Sequence, residues 1–519
     1  MFVVRFLGLS LALLVAANQV SDANADDSGA RQTVRQGYMV TLRHRIQPGW
    51  RRQLLRNGPL PVFGSTRELG YFYTVLDLGT PARSYSVIID TGSTITYIPC
   101  KGCENCGKHQ SERFDPDTSA TARRLLCGDP LCNCGSPSCM CVANNQCYYK
   151  RAYAEGSVSE GYMITDVLNF PDSQPPVNLV FGCVNGERGE LYRQMADGLM
   201  GMGNNNNAFQ SQLVANGVID DVFSLCFGFP RDGVLLLGDV PLPEGTPPTE
   251  YTPLLHNMHL HFYNVRMEGI EVQGERLPLD AVIFERGYGT VLDSGTTFTY
   301  LPSVAFEAMS RAVGQFAEAK GLQRTPGADP QYNDICWAGA SDNVDDLENF
   351  FPYAEFVLGG DVRLRLRPIR YLFLSRPAEY CLSIFDNGGS GTLIGTGTVQ
   401  DILVTYDRRN NRVGFTDTSC VGLAVALAAR ANATDSVHPS PSSPPPFAPP
   451  PSPSRFPSPQ PPAPHPMPPM VSQARNAPSP SSSSGHPHPH MHHKVHHHPS
   501  GAPLHKAHVL QRSHWLRLR

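Results

Sequence analysis

Two aspartates lie in two copies of one short motif. Asp90 belongs to IIDTGSTITYIP (88–99) and Asp293 belongs to VLDSGTTFTYLP (291–302). Two carboxyl groups about 3 Å apart cannot both ionise at modest cost, so they share a proton. The ionised member can then take a proton from a water molecule while the protonated member donates to a scissile carbonyl oxygen. The duplicated motif therefore predicts hydrolysis of an amide without a covalent intermediate.

The residues that follow each aspartate are of the same types. A hydroxyl residue, a glycine and a second hydroxyl residue come in that order, namely Thr91, Gly92 and Ser93 in the first copy and Ser294, Gly295 and Thr296 in the second. We expect the first hydroxyls to tie the two loops together and the glycines to let the backbone approach the carboxylates. We expect the second hydroxyls to donate hydrogen bonds to the outer carboxylate oxygens.

Buried strands must position these loops. Each motif begins with an apolar run, SVII or TVL, that reads as a strand and is broken into a turn by the aspartate and glycine. A second repeat, ADGLMGMG (196–203) after the first motif and GTLIGTGTV (391–399) after the second, supports an internal duplication. We therefore expect two similar lobes related by a pseudo-twofold axis, each contributing one aspartate to a shared cleft.

The rest of the body favours an all-β architecture. Its apolar runs are short, rich in β-branched and aromatic residues, and separated by Gly, Pro and Asp turns. The main predicted helix spans 303–320, with Ser303 as its N-cap. A chain of 519 residues is too long for one core, and we expect an N-terminal lobe over 66–245 and a C-terminal lobe over 246–422.

The N-terminal region precedes this body. Residues 1–25 are predicted to be a secretory signal peptide, because an apolar stretch ends in the small-x-small site Ala23-Asn24-Ala25. A transmembrane helix is the weaker alternative, since the stretch falls short of the roughly 20 apolar residues that a span requires. Residues 26–65 carry seven arginines between Arg31 and Asn57 with no acidic residue in that stretch. They predict a basic propeptide attracted to the carboxylate cleft, the alternative being a disordered basic arm.

The C-terminal region follows the body. Residues 423–519 are predicted to be a disordered tail in which a Pro/Ser-rich stalk leads to a His-rich tract. That tract lacks Cys, Asp and Glu, so simple disorder is preferred over metal binding, and no metal site or cofactor is predicted. Asn432 begins an Asn-Ala-Thr glycosylation sequon. The formal net charge of −4 gives no indication of nucleic acid or of an anionic membrane as a partner.

The chain has 14 cysteines, and nine of them lie between the first motif and Tyr149. In a cytosolic protein, the spacing Cys100-x-x-Cys103-x-x-Cys106 would indicate zinc or an iron–sulfur cluster. Behind a signal peptide, disulfides are the preferred interpretation. Spacing alone leaves the connectivity within this group open.

The motifs DTGS and DSGT, the two glycine repeats and the bilobal spacing resemble those of pepsin-like aspartic endopeptidases over 71–420. The resemblance implies a polypeptide substrate bound across the cleft, with RAYAEGSVSEG (151–161) as the flap hairpin. Tyr153 would be the flap tyrosine, with Gly156 and Ser157 at the flap tip. The plainer interpretation makes Tyr153 an ordinary strand aromatic.

The crowded cysteines (100–147) are similar to the insert of nepenthesin-like plant aspartic proteases. That resemblance implies disulfides joining Cys226 with Cys420 and Cys336 with Cys381. Tyr97 stands where pepsin-like enzymes usually have tryptophan, which puts its contact with the flap tyrosine in question. The tail resembles plant or green-algal cell-wall proteins and implies an association with the cell wall.

The sequence therefore predicts an acid-active aspartic endopeptidase of the secretory pathway, either secreted to the cell wall or sent to the vacuole. The alternative is a catalytically silent binding or inhibitor protein of the same fold. A third interpretation, a wall component anchored by its stalk, would leave the protease assignment in place.

Overall fold

The computed structural model describes residues 58–66, 69–135, 139–170, 175–256, 261–328 and 334–435. The chain divides into two units, Met1–Pro48 and Gly49–Arg519, and every described residue falls in the second. The expected signal peptide, most of the expected propeptide and most of the expected tail lie outside the described residues. Within the described part, no helix combines the length and apolar character needed to cross a membrane.

In the described residues, the N-terminal half of the body consists of twelve short strands and one α-helix, which lies between the tenth and eleventh strands. The strands are β1 (Gly58–Ser65), β2 (Tyr71–Leu78), β3 (Arg83–Asp90), β4 (Tyr97–Pro99), β5 (Arg123–Arg124), β6 (Met140–Val142), β7 (Gln146–Ala152), β8 (Val158–Asn169), β9 (Val177–Arg188), β10 (Gly198–Gly201), β11 (Val222–Phe227) and β12 (Gly233–Leu237). Helix α1 spans Phe209–Ala215.

The C-terminal half repeats this style and adds two longer helices. The strands are β13 (Glu250–Pro253), β14 (Asn264–Val265), β15 (Met267–Val272), β16 (Glu275–Arg276), β17 (Thr290–Leu292), β18 (Thr299–Leu301), β19 (Gln323–Thr325), β20 (Cys336–Ala338), β21 (Ala354–Leu358), β22 (Val362–Leu366), β23 (Leu372–Arg376), β24 (Glu379–Leu382), β25 (Ile384–Asp386), β26 (Thr392–Ile394), β27 (Ile402–Asp407) and β28 (Arg412–Asp417). The helices are α2 (Ser303–Ala319) and α3 (Cys420–Asp435). The 3-10 helices of the described part are Ala143–Asn145, Leu191–Arg193, Ala281–Glu285, Val344–Asn349, Pro368–Arg370 and Arg408–Asn410.

One four-strand arrangement occurs in both lobes. In the N-terminal lobe the order is β3-β10-β4-β9, and in the C-terminal lobe it is β17-β26-β18-β25. The pairings are parallel, antiparallel and parallel in both sets. The two copies of the second repeat form the equivalent strands β10 and β26. This repetition of strand order and direction confirms the predicted all-β, bilobal fold.

A sheet shared by both lobes joins them. Its order is β13-β28-β27-β11-β12-β1, and it continues through β2 into the N-terminal lobe as part of a 15-stranded sheet. Strands β27 and β28 come from the end of the body yet pair next to β11. Helix α3 covers this sheet, where Leu423 and Leu427 are buried with Cys226 and Leu403. The expected start of the tail at residue 423 therefore falls inside α3.

Strand β1 occupies residues that the sequence assigned to the propeptide. Gly58 to Val62 pair with β12, and Phe63 to Ser65 pair with β2. Leu60 and Val62 are buried in the main core. The expected propeptide boundary at 65 therefore lies at the end of a strand that belongs to the central sheet.

Helix α2 covers the C-terminal lobe with one apolar face. Ala305, Met309, Val313 and Ala317 are buried at four-residue spacing, as expected for an amphipathic helix. The prediction that Ser303 caps this helix was wrong, because Pro302 occupies the N-cap and Ser303 is the first helical residue. The Ser303 hydroxyl instead donates to Asp386 Oδ1 at 2.7 Å.

Candidate active site

Two equivalent strand ends bring Asp90 and Asp293 together. Asp90 is the last residue of β3, and Asp293 directly follows β17. The parallel neighbours fix both turns, since Met202 N donates to Asp90 O at 2.8 Å and Asp293 N donates to Ile394 O at 3.0 Å. The strands are fully buried at this end, so the backbone that carries the carboxyl groups is held rigidly.

Each carboxyl group accepts the same pair of hydrogen bonds. Asp90 accepts from Gly92 N and from Ser93 Oγ, both at 2.8 Å. Asp293 accepts from its own matching residues, from the glycine N–H at 2.8 Å and from the threonine hydroxyl at 2.7 Å. These contacts fix the inner and outer oxygens of both groups in one orientation.

The two glycines hold the loops close to the opposite carboxyl group. A Cβ atom added to Gly92 would meet Asp293 Oδ1 at 2.7 Å, and one added to Gly295 would meet Asp90 Oδ1 at 2.2 Å. Real Cβ atoms do not approach other heavy atoms that closely, so only glycine allows this packing. The structure thus places each aspartate against the loop that carries the other.

The first hydroxyl residues tie the loops together across the lobes. Thr91 N donates to Ser294 Oγ at 3.0 Å, and Ser294 N donates to Thr91 Oγ1 at 2.9 Å. Their hydroxyls donate in turn to the carbonyls of Leu292 and Ile89. All four groups are buried, so these reciprocal bonds fix the separation of the two loops.

Burial and charge both change the acidity of Asp90. Burial, and next the charge of Asp293, raise the pKa of Asp90 to about 7, while hydrogen bonds from Ser93 and Gly92 oppose the shift. A carboxyl group with a raised pKa keeps its proton in weakly acidic solution. Two carboxyl groups this close share one proton, and the raised pKa of Asp90 keeps that proton on the pair in weakly acidic solution.

The flap hairpin lies above Asp90. Strands β7 and β8 form it, and its turn closes with a hydrogen bond from Tyr153 N to Ser157 O at 2.9 Å. The Tyr153 hydroxyl donates to Tyr97 Oη at 3.1 Å, so the tyrosine at the usual tryptophan position does contact the flap. Burial and then the charge of Asp90 raise the pKa of Tyr153, which puts this phenol within the field of the carboxyl pair.

The two predicted tip residues differ in their surroundings. Gly156 is exposed at the turn with φ of +91°, a conformation that favours glycine. Ser157 is fully buried, and its hydroxyl accepts a hydrogen bond from Glu190 N at 2.9 Å. Gly156 therefore forms the tip, whereas Ser157 anchors the flap to the loop beneath it.

Tyr406 supports the site from behind and was missed by sequence reasoning. Its hydroxyl forms a hydrogen bond with Thr91, and its ring stacks on Phe223 with ring centroids 4.5 Å apart. Tyr263 packs against the same ring at 4.6 Å. Tyr406 lies in β27 and Tyr263 directly precedes β14, both in ordinary core segments, so no signal in the sequence marks them.

Seven disulfides pair all 14 cysteines. The structure joins Cys226 with Cys420 and Cys336 with Cys381, as the resemblance implied. The remaining bonds, whose connectivity spacing left open, are Cys100–Cys183, Cys103–Cys106, Cys127–Cys141, Cys132–Cys147 and Cys134–Cys139. Among the described residues, the clusters that could hold a metal contain these bonded cysteines, whose sulfurs are not free thiolates.

The predicted glycosylation site lies near the end of the described chain. Asn432 falls within α3, and its side chain lies outside what the structure describes. The His-rich tract and the stalk also lie outside the described residues.

Comparison with known proteins gives matches over both lobes. A family model described as "Xylanase inhibitor N-terminal" matches residues 72–239, and one described as "Xylanase inhibitor C-terminal" matches residues 262–417. Aspartic proteinase 39 of Arabidopsis thaliana is 31% identical over 395 residues, which cover 71% of this chain and 79% of the relative. Aspartic proteinase nepenthesin-1 of Nepenthes gracilis is 30% identical, with 73% of this chain and 86% of the relative covered.

A similarity among solved structures concerns the fold alone. The crystal structure of edgp superposes with a TM-score of 0.58 at 19% sequence identity. The match covers 73% of this chain and 98% of that protein.

Proposed function

The chain belongs to the family of pepsin-like aspartic proteinases, and on that premise we propose that it is an active endopeptidase that hydrolyses peptide bonds at acidic pH. The observation that carries the proposal is the complete carboxyl pair, with both aspartates, both outer hydroxyl donors and both glycines in matching positions. A chain that had lost catalysis would have no need to keep every one of these groups.

In this proposal the two aspartates have complementary tasks. A water molecule held between the carboxyl groups gives a proton to the ionised member of the pair as its oxygen attacks the scissile carbonyl carbon. The protonated Asp90 donates to the carbonyl oxygen, which forms a neutral tetrahedral diol. The carboxyl group that took the water proton then protonates the amide nitrogen, and the C–N bond breaks as a diol hydroxyl gives its proton to the other carboxylate. The amine and the carboxylic acid leave, and the pair is singly protonated again.

We propose that the substrate is an extended polypeptide lying in the cleft beneath the flap. Tyr153 and Tyr97 would cover it from the flap side, and the exposed Gly156 leaves the tip free to bend over it. Because β7 and β8 are paired along the hairpin, the flap can move as one unit. This favours cleavage within a chain over cleavage at its ends.

A silent binding or inhibitor protein is the second candidate. The description of the matching family models, which names xylanase inhibitors, is the observation that favours it. The intact carboxyl pair favours the first candidate, since inhibition by surface contact requires neither the shared proton nor the outer hydroxyl donors.

The precursor route is also part of the proposal. A chain with seven disulfides is typical of the secretory pathway. The similarity to plant aspartic proteinases supports the same route. We propose that a signal peptide directs the chain there, that a basic segment is removed on maturation and that Asn432 is glycosylated. The final destination would be the cell wall or the vacuole.

A direct assay tests the proposal. Residues 26–519 would be incubated with denatured casein between about pH 3 and pH 8, with Asp90→Asn and Asp293→Asn as test variants. The exposed Asp117→Asn is the matched control. We expect acid-favoured cleavage that either test variant abolishes and the control retains. A correctly folded wild type that cleaves nothing after removal of its basic segment would favour the inhibitor candidate.

A further inference from the structure

A buried histidine joins the cysteine-rich insert to the strand that supports the flap. His109 Nε2 lies 3.4 Å from Glu187 Oε2, and their side chains are only 5% and 2% exposed. His109 Nδ1 lies 2.7 Å from Ala196 O. Within the part of the chain that the structure describes, Nε2 and Oε2 have no other hydrogen-bond partner. Both ring nitrogens therefore face acceptors, which suits an imidazolium ring with a hydrogen on each nitrogen.

The groups around the ring favour its charged form. Burial is the largest influence and lowers the pKa of His109, but Glu187, the Ala196 carbonyl and Asp197 together raise it above the ordinary value. Asp197 is already satisfied by Ser86 and by Ser111 N, so Glu187 is the acid that depends on the ring. Among the described residues, the charge of Glu187 also acts on the buried phenols of Tyr97 and Tyr149, whose own pKa values burial raises. The titratable residues Arg188, Glu190, Tyr192 and Arg193 line the same cavity as Glu187.

Backbone contacts place this pair at the seam between insert and flap support. Glu187 N donates to Asn105 O at 3.2 Å, and Gln110 N donates to Met195 O at 3.2 Å. Gly107 lies directly against Tyr192, where a Cβ atom would meet the Tyr192 carbonyl. Glu187 is also one of the residues that line a cavity of about 440 Å³ open to solvent.

Two routes lead from Glu187 to the flap. In the first, Glu187 pairs with Ser159 of β8, and Ser159 Oγ lies 2.9 Å from the Tyr149 hydroxyl. The Tyr149 ring stacks on Tyr97, which contacts Tyr153. The second route is short, because the loop after β9 anchors the buried Ser157 at the end of the flap turn.

We propose that His109 and Glu187 form an acid-dependent clamp that is closed while His109 is protonated and that holds the insert against the base of the flap. In this proposal both are positioning residues, because they act on the flap through other residues, by way of Ser159, Tyr149 and Tyr97 or by way of Ser157. The effect on cleavage rests on the proposed function, whereas the clamp itself does not.

The direction of the pH dependence follows from the raised pKa. The folded protein holds the His109 proton more tightly than the unfolded chain does, so the clamp stabilises the fold fully below the ordinary histidine pKa of about 6.5. That contribution is lost as the pH rises through the raised value. The flap should then loosen as the pH rises through that raised value, even if the carboxyl pair is unchanged.

The first test needs no variant and no catalysis. In the wild-type chain, deuterium exchange at the His109 ring carbon reports its titration, and amide exchange over 105–111 and 153–159 reports the seam and the flap. We expect amide protection in both segments to fall at least about tenfold as His109 loses its proton. Protection that stays constant across the titration of His109 would overturn the proposal.

The second test uses His109→Gln and Glu187→Gln, with His256→Gln as the matched control at an exposed histidine. We expect both clamp variants to show weakened flap protection at about pH 5 that no longer depends on pH, while the control keeps the wild-type response. If His109→Gln retains the wild-type pH response, the clamp is disproved.

Cleavage assays separate this proposal from the proposed function. With a fixed peptide substrate, the clamp variants should show an increased KM at acid pH and a flatter pH dependence of KM, because a loose flap weakens substrate binding. A wild type without any cleavage would contradict the proposed function, and the exchange data would still decide for or against the clamp.

Discussion

At the scale of single residues, the site depends on very short distances between two loops. The sequence was sufficient to predict the aspartates, glycines and hydroxyls, because each role needs a particular residue type and the motif occurs twice. It was not sufficient for Tyr406 or His109, since a tyrosine in a strand and a histidine in a loop have many ordinary explanations. Only their neighbours in space distinguish them.

Gly295→Ala should abolish most cleavage without unfolding the protein. The new methyl group would lie 2.2 Å from Asp90 Oδ1 and must displace that carboxyl group from its partner. A displacement of about 1 Å at reacting groups costs roughly 100-fold in rate, so we expect kcat/KM to fall at least that far. Gly389→Ala is the matched control, because nothing lies within 4 Å of the added atom there. Wild-type rates for Gly295→Ala would contradict the close packing of the loops.

The pH dependence of cleavage should follow the proton on Asp90. Because burial and Asp293 raise its pKa to about 7, cleavage should fall about tenfold for each pH unit above that value as the donor is lost. The Ser93 hydroxyl lowers the pKa of Asp90. Ser93→Ala removes that hydroxyl, so the pKa should rise and the fall in cleavage should move to higher pH. Measurement of kcat/KM against pH for both proteins checks the shift, and a fall at lower pH in the variant would contradict it.

The same proton should influence stability. The folded pKa of Asp90 lies above the value of about 4 expected in the unfolded chain, so the folded state binds the proton more tightly. Stability should therefore decline as the pH rises from about 4 through about 7. Asp90→Asn cannot ionise and should lose this part of the decline, which thermal unfolding at several pH values would reveal. Parallel curves for variant and wild type would contradict the raised pKa.

At the scale of secondary-structure elements, β1 was the strand hardest to predict from the sequence. Its sequence GPLPVFGS contains Pro59 and Pro61, and proline lacks the N–H group that a central strand normally uses. The structure avoids this conflict because β1 changes partner along its length. The first part of β1, which contains both prolines, pairs only with β12, and the last part pairs with β2. The prolines therefore have a strand partner on one side only, as residues of an edge strand do.

The mature protein should begin at or before Gly58. Removal of β1 would expose β12 and β2 and would take Leu60 and Val62 out of the core, at a cost of about 1.5–3 kcal/mol for each side chain. N-terminal sequencing of the secreted protein checks this directly. A chain expressed from Gly58 should also unfold at a higher temperature than one expressed from Thr66. A mature N-terminus at Thr66 or beyond would show that the strand is dispensable.

At the scale of the whole molecule, a two-lobed body was predictable and its shared sheet was not. The repeated motifs indicate the duplication, because each lobe needs its own aspartate loop and its own copy of the glycine-containing strand, β10 or β26. The pairing of β11 with β27 has no comparable motif in the sequence. Cys226 and Leu403 are neighbours in this pairing, but neither residue type indicates it. The apolar segment 421–429 can be seen in the sequence. Only its packing against the shared sheet explains why it folds as part of helix α3.

Loss of the Cys226–Cys420 disulfide should weaken the whole body. The two cysteines are 194 residues apart, and a loop of that length corresponds to about 5 kcal/mol of chain entropy. The double variant Cys226→Ser/Cys420→Ser should therefore unfold at a clearly lower denaturant concentration than the wild type. The matched control, Cys103→Ser/Cys106→Ser, opens a bond with a sequence separation of 3 and should cost only about 2 kcal/mol. Equal losses for the two variants would contradict the entropic account.

The shared sheet also affects how the protein can be made. Strand β11 emerges from the ribosome long before β27, its partner, has been synthesised. At ~5–20 residues per second, the 194 residues that separate Cys226 from Cys420 take roughly 10 to 40 seconds to translate. During that interval the growing N-terminal lobe presents an unpaired apolar strand edge and an unbonded thiol. Translation speed and the chaperones and disulfide isomerases that bind the growing chain should therefore influence the yield of this protein more strongly than that of a chain whose lobes fold independently.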